Sequence, residues 1–268
     1  MRGYGGRWGY GAVVVVMAVL AVGCSGGGDG ADGKDRGRSA AQAGERGDAG
    51  AEPAPEASAF VPRADRLPRD RAGAERLARS ITLQPRSFGA DFARGVPYED
   101  DSSQWGVLGT DCTWQRGTLP GSVFTSVARH YAQPAAGGKG PVEATTVVSV
   151  HRDAYSADRE MATSLEEVLR CPTQQLNADD VLSDLRSDAS ARGNNRQETV
   201  DDHLFERGSY RSRTTGGPYP YEWATSRLGP VTITVTVRGS KGHSAAGVGA
   251  IRARAFADLQ WRTKKALQ

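Results

Sequence analysis

The chain has 268 residues, a formal net charge of +3 and 24% charged residues. This near balance argues against a nucleic-acid binder, in which a concentrated basic excess is expected, so we predict no nucleic-acid partner. Three cysteines exclude a disulfide-dense mini-protein and a four-cysteine zinc site. Because 15 of the 34 glycines lie in the first 60 residues, the two ends of the chain differ in kind.

Residues 1–23 have the organisation of an export signal. Arg2 and Arg7 are the only charged residues before position 29, and an apolar run from Ala12 to Val22 follows them. A basic start, an apolar segment of about ten residues and a small residue before the cleavage point are typical of a secretory signal peptide. We therefore expect this segment to direct the chain out of the cytoplasm.

A cysteine directly after the small Gly23 makes the signal one of the lipoprotein type. The run Leu20-Ala21-Val22-Gly23-Cys24 resembles the bacterial lipobox, in which the cysteine is diacylated and becomes the new N-terminus. Two acyl chains hold a protein stably on a bilayer. The sequence predicts a diacylglyceryl membrane anchor at Cys24 and a position on the outer face of the cell membrane. The alternative is a plain secreted protein, or an uncleaved anchor, with an accidental cysteine.

The segment 24–64 is predicted to be a tether. Residues 25–59 contain no Val, Ile, Leu, Met, Phe, Trp, Tyr or Cys. Such a segment buries too little apolar surface to offset the entropy of ordering, so we expect it to be disordered. The remaining residues, 65–268, are enough for one domain with a substantial core.

Periodicity predicts the elements of this domain in chain order. We expect a short helix over Arg69–Ser80, a strand within Gly106–Arg116 and a buried strand over Ala144–His151. Asp153 is a plausible N-cap for a helix that runs to Arg170 and ends at Cys171-Pro172. Its apolar face is predicted to contain Ala157, Met161, Leu165, Val168 and Leu169.

The C-terminal half is predicted to contain more strands than helices. A short helix is expected over Asp179–Arg186, and strands over Val200–Arg213 and Tyr219–Arg227. Val231–Val237 alternates valine or isoleucine with threonine, which is typical of an antiparallel strand with one buried face. A last helix is expected over Ala245–Ala266. Because strands follow one another, we predict an α+β fold with a largely antiparallel sheet flanked by helices.

Two cysteines remain once Cys24 is lipidated. In an oxidising compartment the simplest arrangement is a single disulfide between Cys112 and Cys171. Its closed loop of 59 residues corresponds to about 4 kcal/mol of stabilisation in the chain-entropy estimate. The alternative is a pair of buried free thiols.

No motif in the sequence predicts catalysis, a metal site or a cofactor. The four histidines do not form an HExxH, and no GxSxG, SxxK or P-loop is present. Asp201-Asp202-His203 has the composition of a general base with its orienting carboxylate, but such clusters more often lie at a strand entrance. Glu166-Glu167 is interpreted as part of a solvated helix face. We therefore predict a protein that is not an enzyme.

An aromatic cluster is the candidate for a ligand cleft. Four large rings and a Gly/Pro-rich loop fall within fourteen residues: Tyr210, Tyr219, Tyr221 and Trp223, with the loop at 216–220. Such a segment either lines a ligand cleft or packs across strands of a sheet. Since residues two apart in a strand share a face, the last three rings should point the same way. We expect Trp223 to belong to the core and Tyr219 to be more exposed.

A family resemblance adds to this interpretation. The layout of the domain resembles that of the extracellular sensor domain of PknH-type serine/threonine kinases. The resemblance is carried by Cys112-Thr113-Trp114, then the strand TTVVSVHRD, and then a helix that closes in Leu165 to Cys171. Related modules occur in surface lipoproteins of high-GC Gram-positive bacteria. The resemblance implies an α+β domain with a mixed sheet and a cleft for a ligand, and it brings no catalytic residues.

Together these features predict a lipid-anchored, non-catalytic binding or sensor-like domain for a small molecule or a cell-envelope component. Two alternatives stay open. One is an accessory lipoprotein that binds another envelope protein, for which a flat apolar patch would be evidence. The other is an envelope enzyme with an unrecognised site, for which perturbed carboxylates in a pocket would be evidence.

Overall fold

The computed structural model describes residues 60–191 and 200–268, with the side chains of 188–191 left out. The predicted signal peptide, the lipidation site Cys24 and the tether up to residue 59 lie outside the described residues. Phe60 already packs against the core, and the backbone N–H of Arg63 donates to the carbonyl of Leu267 at 2.9 Å. Among the described residues, no helix has the length and apolarity needed to span a bilayer.

The domain contains ten strands and three α-helices in the part of the chain that the structure describes. The helices are α1 (Arg71–Ile81), α2 (Ala154–Arg170) and α3 (Ala245–Leu267). The strands are β1 (Ala93–Glu99), β2 (Gln104–Leu108), β3 (Trp114–Thr118), β4 (Val123–Gln133), β5 (Val142–His151), β6 (Gln174–Gln175), β7 (Asp180–Ala191), β8 (Asp202–Ser212), β9 (Gly216–Leu228) and β10 (Val231–Arg238).

Eight of the strands form one sheet in the order β1-β4-β5-β10-β9-β8-β7-β6, and β2 and β3 form a separate hairpin. Every pairing within the eight-stranded sheet is antiparallel. The predicted α+β fold with an antiparallel sheet is therefore confirmed. The mixed sheet that the family resemblance implied is not present in the described residues.

One face of the sheet forms the main core. Val231, Ile233, Val235 and Val237 of β10 are completely buried and point to this face, as the alternation predicted. Helices α1 and α3 cover it. The buried residues of α3 fall on one side of the helix: Val248, Ala255, Phe256, Leu259, Thr263 and Leu267. Burial of apolar side chains between a sheet and two helices supplies the main stabilisation of the fold.

The opposite face of the sheet is polar at its centre and is covered by α2. On β10 this face presents Thr232, Thr234 and Thr236. Asp153 caps α2 as predicted, because its side chain accepts from the backbone N–H of Ser156 at 2.7 Å. Of the predicted apolar face, Leu169 is an exception, since it is 74% exposed. This polar layer between α2 and the sheet contains the candidate site.

The region around Cys112 differs from its prediction. Instead of one strand over 106–116, the chain forms the β2–β3 hairpin, with Cys112 in the connecting turn at a φ of 61°. Asp111 stabilises the turn by accepting from the backbone N–H of Thr113 at 3.1 Å. A left-handed residue and an Asx turn interrupt a strand, so the segment doubles back.

The predicted helix over Asp179–Arg186 is wrong, because these residues begin β7. The spacing of Val181, Leu182 and Leu185 is also compatible with a helical turn. In the structure a bulge interrupts the register between Ser183 and Arg186, with Asp184 at a φ of 56°. The extra residue brings two leucines three apart onto one face of the strand, where both are buried in the same cluster.

Candidate functional site

A cleft with a volume of about 310 Å³ lies between α2, the β2–β3 hairpin and the polar face of the sheet. A small organic molecule fits into a space of this size. Three aromatic side chains, three charged ones and six others line it: Trp114, Tyr221 and Trp223; Glu167, Glu206 and Arg238; Thr145, Ser164, Gln174, Leu176, Leu182 and Thr236.

The aromatic wall combines rings from two different sheets. Tyr221 and Trp223 are two residues apart on β9 and so share one face. Trp114 comes from β3 of the hairpin, and its indole N–H donates to Oε1 of Gln174 at 2.8 Å. Since Gln174 is itself buried, this hydrogen bond fixes the orientation of the Trp114 ring.

The Cys112–Cys171 disulfide joins the hairpin to the C-terminal end of α2, as the cysteine count predicted. The backbone N–H of Gln175 donates to the carbonyl of Cys112 at 2.8 Å, and Nη1 of Arg170 donates to the carbonyl of Gly109 at 3.0 Å. These links hold the hairpin against α2. The disulfide thus belongs to the construction of the cleft, because the hairpin supplies Trp114.

Glu167 enters the cleft from α2. Burial raises the pKa of its carboxyl to about 7; the nearby Arg170 lowers it, and the charges of Glu166 and Glu160 raise it. The prediction of a solvated Glu166-Glu167 pair is therefore half wrong. Glu166 is exposed and accepts from Nε of Arg170 at 2.9 Å, whereas the neighbouring position on the helix faces inward.

Glu206 enters the cleft from β8 and is only 8% exposed. Its carboxyl has no hydrogen bond or ion pair to any other residue that the structure describes. Burial and, to a smaller extent, the charge of Glu167 together raise its pKa to about 8. A buried carboxyl without a partner is costly when ionised, so this group is mainly protonated at neutral pH.

The remaining titratable groups of the cleft do not neutralise these two carboxyls. Burial raises the pKa of the Tyr221 hydroxyl well above its usual range, so it stays protonated. Arg238 is engaged elsewhere: Nη2 donates to Oε2 of Glu143 at 2.6 Å, and the guanidinium stacks over the ring of Tyr210 at 5.0 Å. The cleft therefore has unsatisfied acceptors and an excess of acidic groups.

The four aromatic residues predicted as a ligand cleft lie in one apolar cluster. Tyr210 and Tyr221 are buried in it, and Tyr219 and Trp223 pack against it. Only Tyr221 and Trp223 line the cleft. The hydroxyl of Tyr210 donates to Oδ1 of Asp180 at 2.9 Å, and that of Tyr219 donates to the carbonyl of Thr215 at 2.7 Å. Trp223 is half-buried, so it is a wall of the cleft as well as a part of the packing.

The Asp201-Asp202-His203 cluster has a structural role. Oδ2 of Asp201 accepts from the backbone N–H of Gly229 at 2.7 Å, and Oδ2 of Asp202 accepts from Nε of Arg227 at 2.6 Å. His203 packs against Phe205, with ring centroids 4.9 Å apart and the ring planes tilted by 59°. The two carboxylates thus fix the β9–β10 turn at the start of β8.

His151 is a buried side chain whose Nε2 lies 2.6 Å from Oε2 of Glu160. The Thr232 hydroxyl donates to the same carboxylate oxygen at 2.6 Å. These contacts give His151 a structural role between β5 and α2. Across residues 60–191 and 200–268, no group of three or more His, Cys, Asp or Glu side chains is placed to hold a metal ion.

Glu167 and Glu206 were not predicted as site residues. On β8, a spacing of two puts Glu206 on the same face as Leu204 and Tyr210, which marks it as inward-facing. On α2, Glu160 and Glu167 are two helical turns apart, and the buried Met161 and Val168 follow each of them by one residue. Both patterns can be read from the sequence and place the two glutamates on inward faces. Neither pattern tells whether a lysine or arginine of a neighbouring element pairs with them.

No protein-family model matches the chain, and no curated protein matches its sequence. Among solved structures, the chain is similar to the crystal structure of the extracellular domain of PknH from Mycobacterium tuberculosis. The two are 12% identical, with a TM-score of 0.42, over 75% of this chain and 99% of that chain. This likeness concerns the overall fold and says nothing of lipidation or of a ligand.

Proposed function

We propose that this protein is a non-catalytic ligand-binding domain of the sensor type, anchored by lipid at Cys24 on the outer face of the cell membrane. The observation that carries the proposal is the cleft itself. It has a fixed aromatic wall and a buried carboxyl, Glu206, that has no partner within the described residues. Folds rarely leave such a group unsatisfied unless it meets something else. The ligand is a small molecule or a component of the cell envelope.

Two features support the extracytoplasmic location. The sequence before residue 25 has the organisation of a lipoprotein signal. A structural disulfide, Cys112–Cys171, agrees with an oxidising compartment. The diacylated cysteine would keep the domain at the membrane surface, where it meets envelope components.

Native mass spectrometry of the full chain, purified from its own membrane in mild detergent, tests the proposal. We expect a co-purifying mass of a few hundred daltons on the wild type and its loss in Trp223→Ala, which removes one wall of the cleft. Tyr155→Ala is the matched control, because that aromatic ring lies on α2 but is 70% exposed. If the same ligand mass persists in Trp223→Ala, or if no small molecule binds at all, the proposal is wrong.

A second candidate function has specific support. Two carboxyls whose pKa values lie near 7 and 8 are suited to general acid–base catalysis at neutral pH. An envelope enzyme would release a chemically changed product after incubation with the co-purified ligand, whereas a binding domain returns the ligand unchanged. Mass spectrometry of the released molecule distinguishes the two.

A further inference from the structure

We infer that the cleft recognises an organic cation, a molecule carrying a primary or quaternary ammonium group, through Glu206, Glu167 and the aromatic wall. This inference rests on the proposed ligand-binding function and names the chemical class of its ligand. It goes beyond that function because the size of the cleft alone does not distinguish a cation from a neutral sugar or an anion.

The first argument is the state of Glu206. The residue is only 8% exposed, it lines the cleft, and no described residue donates a hydrogen bond or an ion pair to its carboxyl. A cation placed beside the carboxylate supplies the missing partner and offsets the cost of its desolvation. An anionic ligand would instead place a negative charge beside both carboxyls and make their ionisation still harder.

The second argument is the composition of the walls. Trp114, Tyr221 and Trp223 present π-faces or edges to the same space as the two carboxyls. Aromatic rings together with carboxylates are the chemistry that binds ammonium groups, since the ring face attracts a cation and the desolvated site strengthens the attraction. Trp114 is held in place by Gln174, so this part of the wall is formed before a ligand arrives.

The third argument is the engagement of the protein's own cations. Arg238 of β10 is paired with Glu143 and stacked on Tyr210, and Arg170 at the end of α2 is paired with Glu166. Neither guanidinium donates to Glu206 or Glu167. On the neighbouring strands the residues opposite Glu206 are Ser187 of β7 and Trp223 of β9, and both are uncharged. Glu206 therefore has no counter-ion among the described residues, although Arg238 lines the cleft and the charge of Arg170 lowers the pKa of Glu167.

Calorimetric titration of the full chain in detergent with choline tests this inference. Choline carries a charge that does not titrate, and 3,3-dimethyl-1-butanol is its neutral isostere. We expect choline to bind at least tenfold more tightly than the isostere. Its affinity should rise from pH 6 to pH 9, because the two carboxyls must ionise. Putrescine in a parallel titration distinguishes a primary from a quaternary ammonium preference.

The variant Glu206→Gln should weaken choline or putrescine binding at least tenfold and remove most of the pH dependence, while a neutral amide of the same size preserves the fold. Asp158→Asn, which removes an exposed carboxylate from α2, is the control and should bind like the wild type. Equal binding of the isostere, or cation binding that Glu206→Gln leaves unchanged, overturns the inference. A co-purified neutral or anionic ligand overturns it too but leaves the ligand-binding function intact.

Discussion

Glu167 of α2 and Glu206 of β8 face one cleft from the helix side and from the sheet side, and the negative charge of the first raises the pKa of the second. The two groups therefore do not titrate independently. When the first loses its proton, ionisation of the other becomes harder. Protonation of one of the two carboxyls, or a cation bound between them, would relieve this repulsion.

Stability should fall as the pH rises. Burial raises the folded-state pKa of Glu167 to about 7 and of Glu206 to about 8, both above the value of about 4.3 for an unfolded glutamate. Between these values the native state binds more protons than the unfolded state, so the free energy of unfolding is highest below pH 4–5 with respect to these groups and decreases up to about pH 8. We expect a loss of several kcal/mol, measured by urea denaturation from pH 5 to pH 9, and less than the two shifts give in full because solvent screens the partly exposed Glu167.

Glu206→Gln isolates this effect. The variant should be at least as stable as the wild type at pH 9 and should show a flatter stability profile, since the neutral amide has no proton to lose. Asp158→Asn should keep the wild-type profile. A Glu206→Gln profile as steep as that of the wild type would show that other groups cause the pH dependence.

Removal of the disulfide should destabilise the domain and loosen the cleft. The double variant Cys112→Ser, Cys171→Ser opens a loop of 59 residues, for which the chain-entropy estimate is about 4 kcal/mol. Reductant should lower the free energy of unfolding of the wild type by a comparable amount, seen as a lower urea midpoint. It should leave the double variant unaffected. Non-reducing peptide mapping of exported protein should recover the linked pair, and two free thiols there would contradict the assignment.

Tyr221 and Trp223 should respond differently to truncation. Tyr221 is 7% exposed, so Tyr221→Ala should cost about 3–5 kcal/mol through the cavity it leaves. Trp223 is half-buried on the cleft wall, and solvent can enter the space it vacates, so Trp223→Ala should cost less, about 1–3 kcal/mol. Urea denaturation of both variants checks the order. If Trp223→Ala lost more unfolding free energy than Tyr221→Ala, Trp223 would be a core residue, as the sequence analysis predicted.

Cys24 should carry the membrane anchor. A clickable palmitate analogue should label the wild type, and Cys24→Ala should lose the label together with its membrane association, because the variant carries no acyl chains to insert into the bilayer. Cys112→Ser, a cysteine remote from the signal sequence, is the control and should label normally. Equal labelling of Cys24→Ala and the wild type would contradict the lipoprotein assignment.

Elements with strong alternation or a clear cap could be predicted from the sequence. β10 has four β-branched residues on one face and threonines on the other, and α2 begins at Asp153, which caps it. The pairing of Cys112 with Cys171 followed from there being two cysteines in the domain. In these cases the local pattern and the tertiary environment agree, so one sequence is sufficient to predict the element or the disulfide.

β4 could not be predicted, because its polar residues are satisfied by distant parts of the chain. Nε of Arg129 donates to Oε2 of Glu99 at 2.9 Å, and His130 lies 3.1 Å from Asp100. Read in isolation, VFTSVARHYAQ interrupts its apolar residues with charge. The site could not be predicted for a different reason: alternation with Leu204 and Tyr210 places Glu206 on the inward face, but only the assembled sheet shows that no described residue pairs with it.

The position of β10 in the sheet has a consequence for how the chain reaches its native state. β10 lies between β5 and β9 and joins the strands of the first half to the meander of β6–β9, yet it spans residues 231–238, near the end of the sequence. A nascent chain that stops before it leaves the edges of β5 and β9 both unpaired. Closure of the sheet therefore waits until almost the whole domain has emerged, and a product truncated at residue 230 should aggregate rather than fold.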